Sequence, residues 1–172
     1  MLTLSLLRHA KSSWDDVELD DFERPLSKRG ASAAPEMGRA ISRLGLKPDL
    51  VLSSSSVRTR ATVALVLLEF DPPAPEVRFD EGLYLASPAM ILTAIRSVEA
   101  SVKTLLVVGH NPGMHGLAME LAGVAKREDM AQMATKFPTA ALACMTFDAD
   151  AWQDVGPGLG QLKVFLTPRT LS

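Results

Sequence analysis

Three short apolar runs, each followed by a segment with helical periodicity, constrain this chain more than any other feature. They are Leu2–Leu7, Asp49–Ser53 ("DLVLS") and the run "KTLLVVGH" that ends at His110. Strands alternating with helices bury their apolar faces as an α/β layer fold, a three-layer α/β/α sandwich around a mostly parallel central sheet. Sheets of this class take their ligands at the carboxyl ends of the strands. What stands at those ends therefore matters.

The intervening segments fit the same plan. Ala33–Leu44 places Ala34, Met37, Ile41 and Leu44 on one helical face, with Gly45 closing it. Pro35 fits the first turn if Ser32 is the N-cap, and kinks the helix if it starts near Lys28. Val57–Phe70 is expected to be helical, with Val57, Ala61, Leu65 and Leu68 facing in. Val77–Phe79 reads as a short edge strand after the proline-rich connection Asp71–Glu76. Ser87 and Pro88 cap and open a helix to about Val98. Asn111 and Pro112 are expected to do the same for a helix burying Met114, Leu117, Ala118 and Leu121. Lys126–Pro138 is ambiguous, and its methionines Met130 and Met133 read as core. Ala141–Phe147 and Leu162–Leu166 read as late strands, able to add an antiparallel member to the sheet.

At 172 residues, with 47% apolar and 22% charged, the chain suits one domain spanning 1–172. The formal charge of −2 comes without a block of Lys or Arg, which argues against a nucleic-acid or membrane-surface footprint. The single cysteine, Cys144, lies in an apolar run and reads as packing. The N-terminus lacks the basic region of a signal peptide, and no run approaches the roughly 18 apolar residues of a membrane span. A cytoplasmic location is expected.

The strand ends carry chemistry. The first ends in Arg8 and His9, the second runs into Ser54, Arg58 and Arg60, and the third ends in Gly109 and His110. Arginine forks match phosphate oxygens bidentately, and helices starting near Ser56 and Pro112 add their N-terminal N–H groups. A histidine among arginines is pushed toward its neutral form, whose lone pair makes it a candidate nucleophile toward phosphorus.

These segments carry a family resemblance. "LLRHAKSSWD" resembles the opening Arg-His-Gly motif of the histidine phosphatase superfamily, with Ala10 where glycine is usual. "SSSSVRTRAT" resembles its second phosphate-binding segment, "VVGHNPG" its second-histidine segment, and "DDFERPLSKRG" and "DEGLYLAS" also fit. Order and spacing resemble the short SixA-like branch, known as phosphohistidine phosphatases, from Leu2 to about Thr167.

The resemblance implies a phosphoglycerate-mutase-like fold and a metal-independent phosphatase without cofactor. His9 is the implied nucleophile, with Arg8, Arg58 and His110 around the transferring phosphoryl. Ser12, Ser54 and Asn111 are expected phosphate ligands beside them. Asp15 stands where mutase relatives place an asparagine. Glu81, three residues before Tyr84, is the implied proton donor, and Asp80 is the alternative. The substrate expected is phosphohistidine on a signalling protein, for instance a histidine phosphotransfer domain. Small phosphate esters or nucleotides are the alternative within enzymes, and a non-catalytic module binding phosphorylated partners is the alternative from another class.

The remaining residues have blander expectations. Arg60 is as suited to surface solvation as to phosphate contact, His115 to a helix surface, and Lys11 to a solvated loop. Trp14 is expected to pack. Asp20, Asp21 and Glu23 form a charged turn, and Arg24 either pairs with it or lines the pocket entrance.

Overall fold

The computed structural model describes residues 1–171. Seven strands form one sheet: β1 (Leu2–Arg8), β2 (Leu50–Ser54), β3 (Glu76–Asp80), β4 (Thr104–Gly109), β5 (Ala122–Val124), β6 (Leu142–Phe147) and β7 (Gly160–Leu166). Their order across the sheet is β3-β2-β4-β1-β6-β7-β5. Only β6 runs against its neighbours, pairing antiparallel with both β1 and β7. The other pairs are parallel.

Alternation along each strand divides the core in two, as the two-residue period of a pleated strand requires. Leu2, Leu4, Leu6, Leu50, Leu52, Leu105 and Val107 face one side, while Leu7, Val51, Leu106 and Val108 face the other. Helices α3 (Pro88–Arg96), α4 (Gly113–Leu121) and α5 (Arg127–Thr135) cover the first face through residues such as Ile95, Leu117 and Met133. Helices α1 (Lys28–Arg43) and α2 (Val57–Leu67) cover the second through Met37, Ile41, Val63 and Val66. A short α6 (Pro168–Leu171) follows β7. This is the expected three-layer sandwich.

Some boundaries differ from the sequence expectation. Helix α1 starts at Lys28, because Ser27 and not Ser32 is its N-cap: the Ser27 hydroxyl accepts from Gly30 N at 3.1 Å and donates to the Lys11 carbonyl at 3.1 Å. Pro35 therefore lies inside the helix. Its missing N–H leaves the Ala31 carbonyl without a helical partner, on an exposed residue where water can serve instead. Helix α2 stops at Leu67, short of Phe70, and buries Thr59, Thr62, Val63 and Val66 in place of the expected Val57, Ala61, Leu65 and Leu68, the last of which is exposed. The ambiguous segment Lys126–Pro138 contains α5, and β5 joins the sheet edge unforeseen. Among the described residues no helix is long and apolar enough to cross a membrane.

Candidate active site

Because β2, β4 and β1 are neighbours and parallel, their carboxyl ends lie side by side, with Arg8 in register with Gly109. His9 N donates to the Gly109 carbonyl at 3.0 Å, and Ala10 N donates to the Thr62 hydroxyl of α2 at 3.0 Å. The start of β6 meets the same edge, where Ala140 N donates to the His9 carbonyl at 2.9 Å. The backbone around His9 is thus held from three directions. The cavity over this edge is about 300 Å³, lined by Arg8, His9, Ser12, Arg58, His110 and Asn111 among others.

His9 has a defined tautomer. Its Nδ1 lies 2.7 Å from the Ala10 carbonyl oxygen, which can only accept, so Nδ1 carries the proton and the lone pair is on Nε2. Burial, then the charges of Arg58, Arg8 and Arg24, hold its pKa at about 4 against a partial rise from the Ala10 bond. The neutrality expected from like charge is present, but loss of water is its larger cause. His110, its ring centroid 5.2 Å from that of His9, is the complement. Arg58 Nη2 donates to His110 Nδ1 at 3.3 Å, leaving the proton on Nε2, which donates to the Ser54 hydroxyl at 2.8 Å. Burial and the neighbouring charges lower His110 to about 3.

The arginines meet this pair from two elements. Arg58 is buried in the first turn of α2, a helix capped by the Ser56 hydroxyl accepting from Thr59 N at 3.3 Å. Arg8 Nη1 donates to the Phe137 carbonyl at 3.1 Å. The Nε–H groups of both Arg8 and Arg58 are buried without a hydrogen-bond partner. Both guanidinium groups line the pocket, a pair suited to a multiply charged oxyanion.

Several expectations need correcting. Glu81 is exposed in a turn after β3 and does not line the cavity. Asp80 is spent on that turn, accepting from Gly82 N at 2.7 Å, and lies outside it as well. Ser54 is buried beneath His110 and positions that ring without lining the cavity. Asn111 does line it, yet both its side-chain groups are engaged within the protein: Nδ2 donates to the Phe137 carbonyl at 2.9 Å and Oδ1 accepts from His115 N at 3.2 Å. The first residue of α4 is accordingly Gly113, not Pro112. Trp14 is 73% exposed at the rim, with the Arg24 guanidinium stacked 3.4 Å from its ring centroid, and so does not pack in the core.

Arg60 turns away, donating to the Ser55 carbonyl at 2.8 Å and lying over Phe79. His115 donates from Nε2 to the Met133 carbonyl at 2.6 Å. Asp15 is exposed and outside the cavity. Among the described residues, no group of three or more His, Cys, Asp or Glu side chains is placed to hold a metal ion.

Asp21, part of the charged turn in the sequence, lies in the pocket itself. It is the one carboxylate lining the cavity. Arg58 donates to its backbone carbonyl from Nη1 and to its Oδ2 from Nη2, Arg24 Nε donates to its Oδ1 at 3.2 Å, and the Tyr84 hydroxyl donates to Oδ2. Partial burial pushes this carboxyl up, but the bonds from Tyr84 and Arg58 outweigh it and hold the pKa at about 2. Tyr84 in turn packs edge-on against His110, with centroids 5.2 Å apart.

Known proteins resemble this chain along its length. The model of the histidine phosphatase superfamily (branch 1) matches residues 4–84. An uncharacterized protein of Mycobacterium tuberculosis is 37% identical over 165 residues, 95% of this chain and 100% of the relative. Among solved structures, a protein assigned as the phosphohistidine phosphatase SixA of Agrobacterium tumefaciens superposes with a TM-score of 0.81 at 27% identity, covering 97% of this chain and 98% of the other. Its counterpart from Nakamurella multipartitia gives 0.83 at 27%, covering 97% and 96%. With Arg8, His9, Arg58 and His110 gathered at the strand ends and these relatives along its length, the chain is a phosphoryl-group hydrolase that belongs to the histidine phosphatase superfamily (branch 1), in its SixA-like part.

Proposed function

We propose that this phosphatase hydrolyses phosphohistidine on a signalling protein through a phosphorylated His9. The observation that carries this reading is the bonding of the pocket's one carboxylate, Asp21, which accepts from Arg58, Arg24 and Tyr84. Asp21 is held ionised, and Glu81 is outside. An ester leaves as an alkoxide, a strong base that needs a proton from the enzyme. The imidazole of phosphohistidine takes a proton on its second ring nitrogen from solvent and leaves as a neutral base. A site without a protonated acid favours the second kind of leaving group.

The geometry supports a two-step transfer. The His9 Nε2 lone pair attacks phosphorus in line, forming a P–N bond as the substrate's P–N bond breaks and its electron pair returns to the departing imidazole. Arg8, Arg58 and His110 surround the three phosphoryl oxygens, and in transfers of this kind positioning and charge supply most of the acceleration. Water then attacks the phosphoryl on His9, the electron pair returns to Nε2, and inorganic phosphate departs with the water oxygen. A module that only bound phosphorylated partners would have no use for a lone pair at that position.

The test compares kcat/KM, in EDTA, for a phosphohistidine-bearing phosphotransfer domain and for simple phosphate monoesters, with His9→Ala alongside. A preference for phosphohistidine, lost with His9, together with a single phosphoryl adduct trapped on His9, is the expected result. Equal or faster ester turnover would move the substrate to small phosphate esters. No adduct and no turnover of either substrate would leave a binding module.

A further inference from the structure

A groove much larger than the catalytic cavity opens beside it, about 920 Å³ against about 300 Å³. The two share Lys11 and Thr139, so a molecule with its phosphoryl at His9 continues directly into the groove. Four cations line it: Lys11 after β1, Arg29 in the first turn of α1, Lys136 at the end of α5, and Arg169 in α6. Among the described residues, no carboxylate does. In a chain of net charge −2 this is a local concentration of one sign, of the kind that steers and holds a partner of the other. The acids of α5, Glu128 and Asp129, lie in its first turn. They are roughly 10 Å along the axis from Lys136, about a Debye length away.

The occupant must match both the charge and the form of this surface. Its cations come from four separate segments and are exposed. Spread over four segments around a groove of about 920 Å³, they suit a length of chain better than the single phosphate that a tight set of donors would take. Ala33, Pro138 and the buried Phe165 also line the groove, apolar surface suited to the side chains of a peptide. We infer that the groove receives an acidic segment flanking the phosphorylated residue of a protein substrate, a proposal that rests on the protein-phosphohistidine reading above.

The experiment uses three synthetic peptides of equal length, each with one phosphohistidine, flanked by glutamate, serine or lysine. Free phosphohistidine reports the basal reaction. The double variant Arg29→Glu/Lys136→Glu changes two exposed groove residues outside the catalytic cavity. With the native protein, the glutamate peptide should exceed the serine peptide in kcat/KM by roughly tenfold at low salt, the sum of a few exposed ion pairs, and the lysine peptide should fall below both. In the double variant the order should flatten or invert while the rate on free phosphohistidine stays the same. Equal kcat/KM for the glutamate and serine peptides would overturn the groove. The unphosphorylated peptides, titrated by fluorescence anisotropy, separate this proposal from the functional one. Tighter binding of the glutamate peptide, lost in the double variant, supports the groove even if no phosphohistidine is hydrolysed, and equal binding overturns it.

Discussion

Arg58 holds Asp21 at two points: Nη1 donates to its backbone carbonyl at 2.6 Å and Nη2 to its carboxylate at 2.9 Å. The contact places an anion inside a pocket whose other charged lining residues are Arg8, Lys11, Arg24 and Arg58. Asp21 therefore has two opposed effects: it orients the guanidinium, and it competes with the phosphoryl group for it. Its side chain is 44% exposed, so the competition is partly screened.

Asp21→Asn separates the two effects. Loss of the charge should tighten inhibition by vanadate roughly fivefold, since a like charge at a half-solvated site is worth about 1 kcal/mol. kcat should fall by about tenfold in the same variant, because Arg58 loses a charged anchor while keeping the backbone one. An inhibition constant equal to that of the native protein would mean the carboxylate does not contend for the phosphoryl site.

The two histidines should show opposite tautomers. At pH 7 a long-range proton–nitrogen correlation spectrum is expected to give His9 protonated on Nδ1 and His110 on Nε2, as their carbonyl and guanidinium partners require. Activity against a substrate that does not itself titrate should decline only as pH approaches about 4, where His9 gains its proton. Arg58→Gln removes one of the smaller lowering influences, so the acid limb should move up in pH without returning to the free-histidine value near 6.5. A limb already at the free-histidine value in the native protein would contradict the burial argument.

The strand ends were legible because parallel neighbours bring them to one edge whatever the details of packing. Arg8, His9, Arg58 and His110 follow from that rule. Asp21 was not legible. "DDFER" offers three acids in one polar turn, and no spacing says which of them Arg58 reaches. Glu81 shows the reverse failure. It sits three residues before Tyr84, but the turn after β3 carries the tyrosine to His110 and leaves the glutamate in water. Glu81→Gln should therefore leave kcat/KM on phosphohistidine within about twofold of native. A loss of orders of magnitude would place this side chain on the leaving atom after all.

Ser54 is expected to act through His110. With Ser54→Ala the buried Nε2–H loses its 2.8 Å acceptor, and only the Ser56 hydroxyl at 3.5 Å remains within reach. kcat should fall roughly tenfold with little change in KM, the effect of a loosened ring that still faces the phosphoryl. Ser54→Thr keeps the hydroxyl and should restore most of the rate. Equal losses in both variants would point to packing at the end of β2.

The same burial makes the site a source of pH-dependent stability. His9 and His110 are buried at 6% and 2% exposure, with pKa values lowered to about 4 and about 3. Between those values and about 6.5 the unfolded chain binds protons that the folded chain refuses, so stability rises with pH across that window and is lost on acidification. Asp21 does not interfere: its carboxyl is depressed to about 2, so its stabilising contribution is present above the unfolded value and declines only as pH falls toward about 2. For His9 alone the lowering amounts to about 3 kcal/mol between pH 7 and 4, or roughly 10 °C in Tm for a chain of this size. His9→Asn removes that titration, and its Tm should fall less steeply over the same range. If the variant and the native protein lose Tm in parallel from pH 7 to 4, the burial of a neutral His9 is not what makes the fold acid-sensitive.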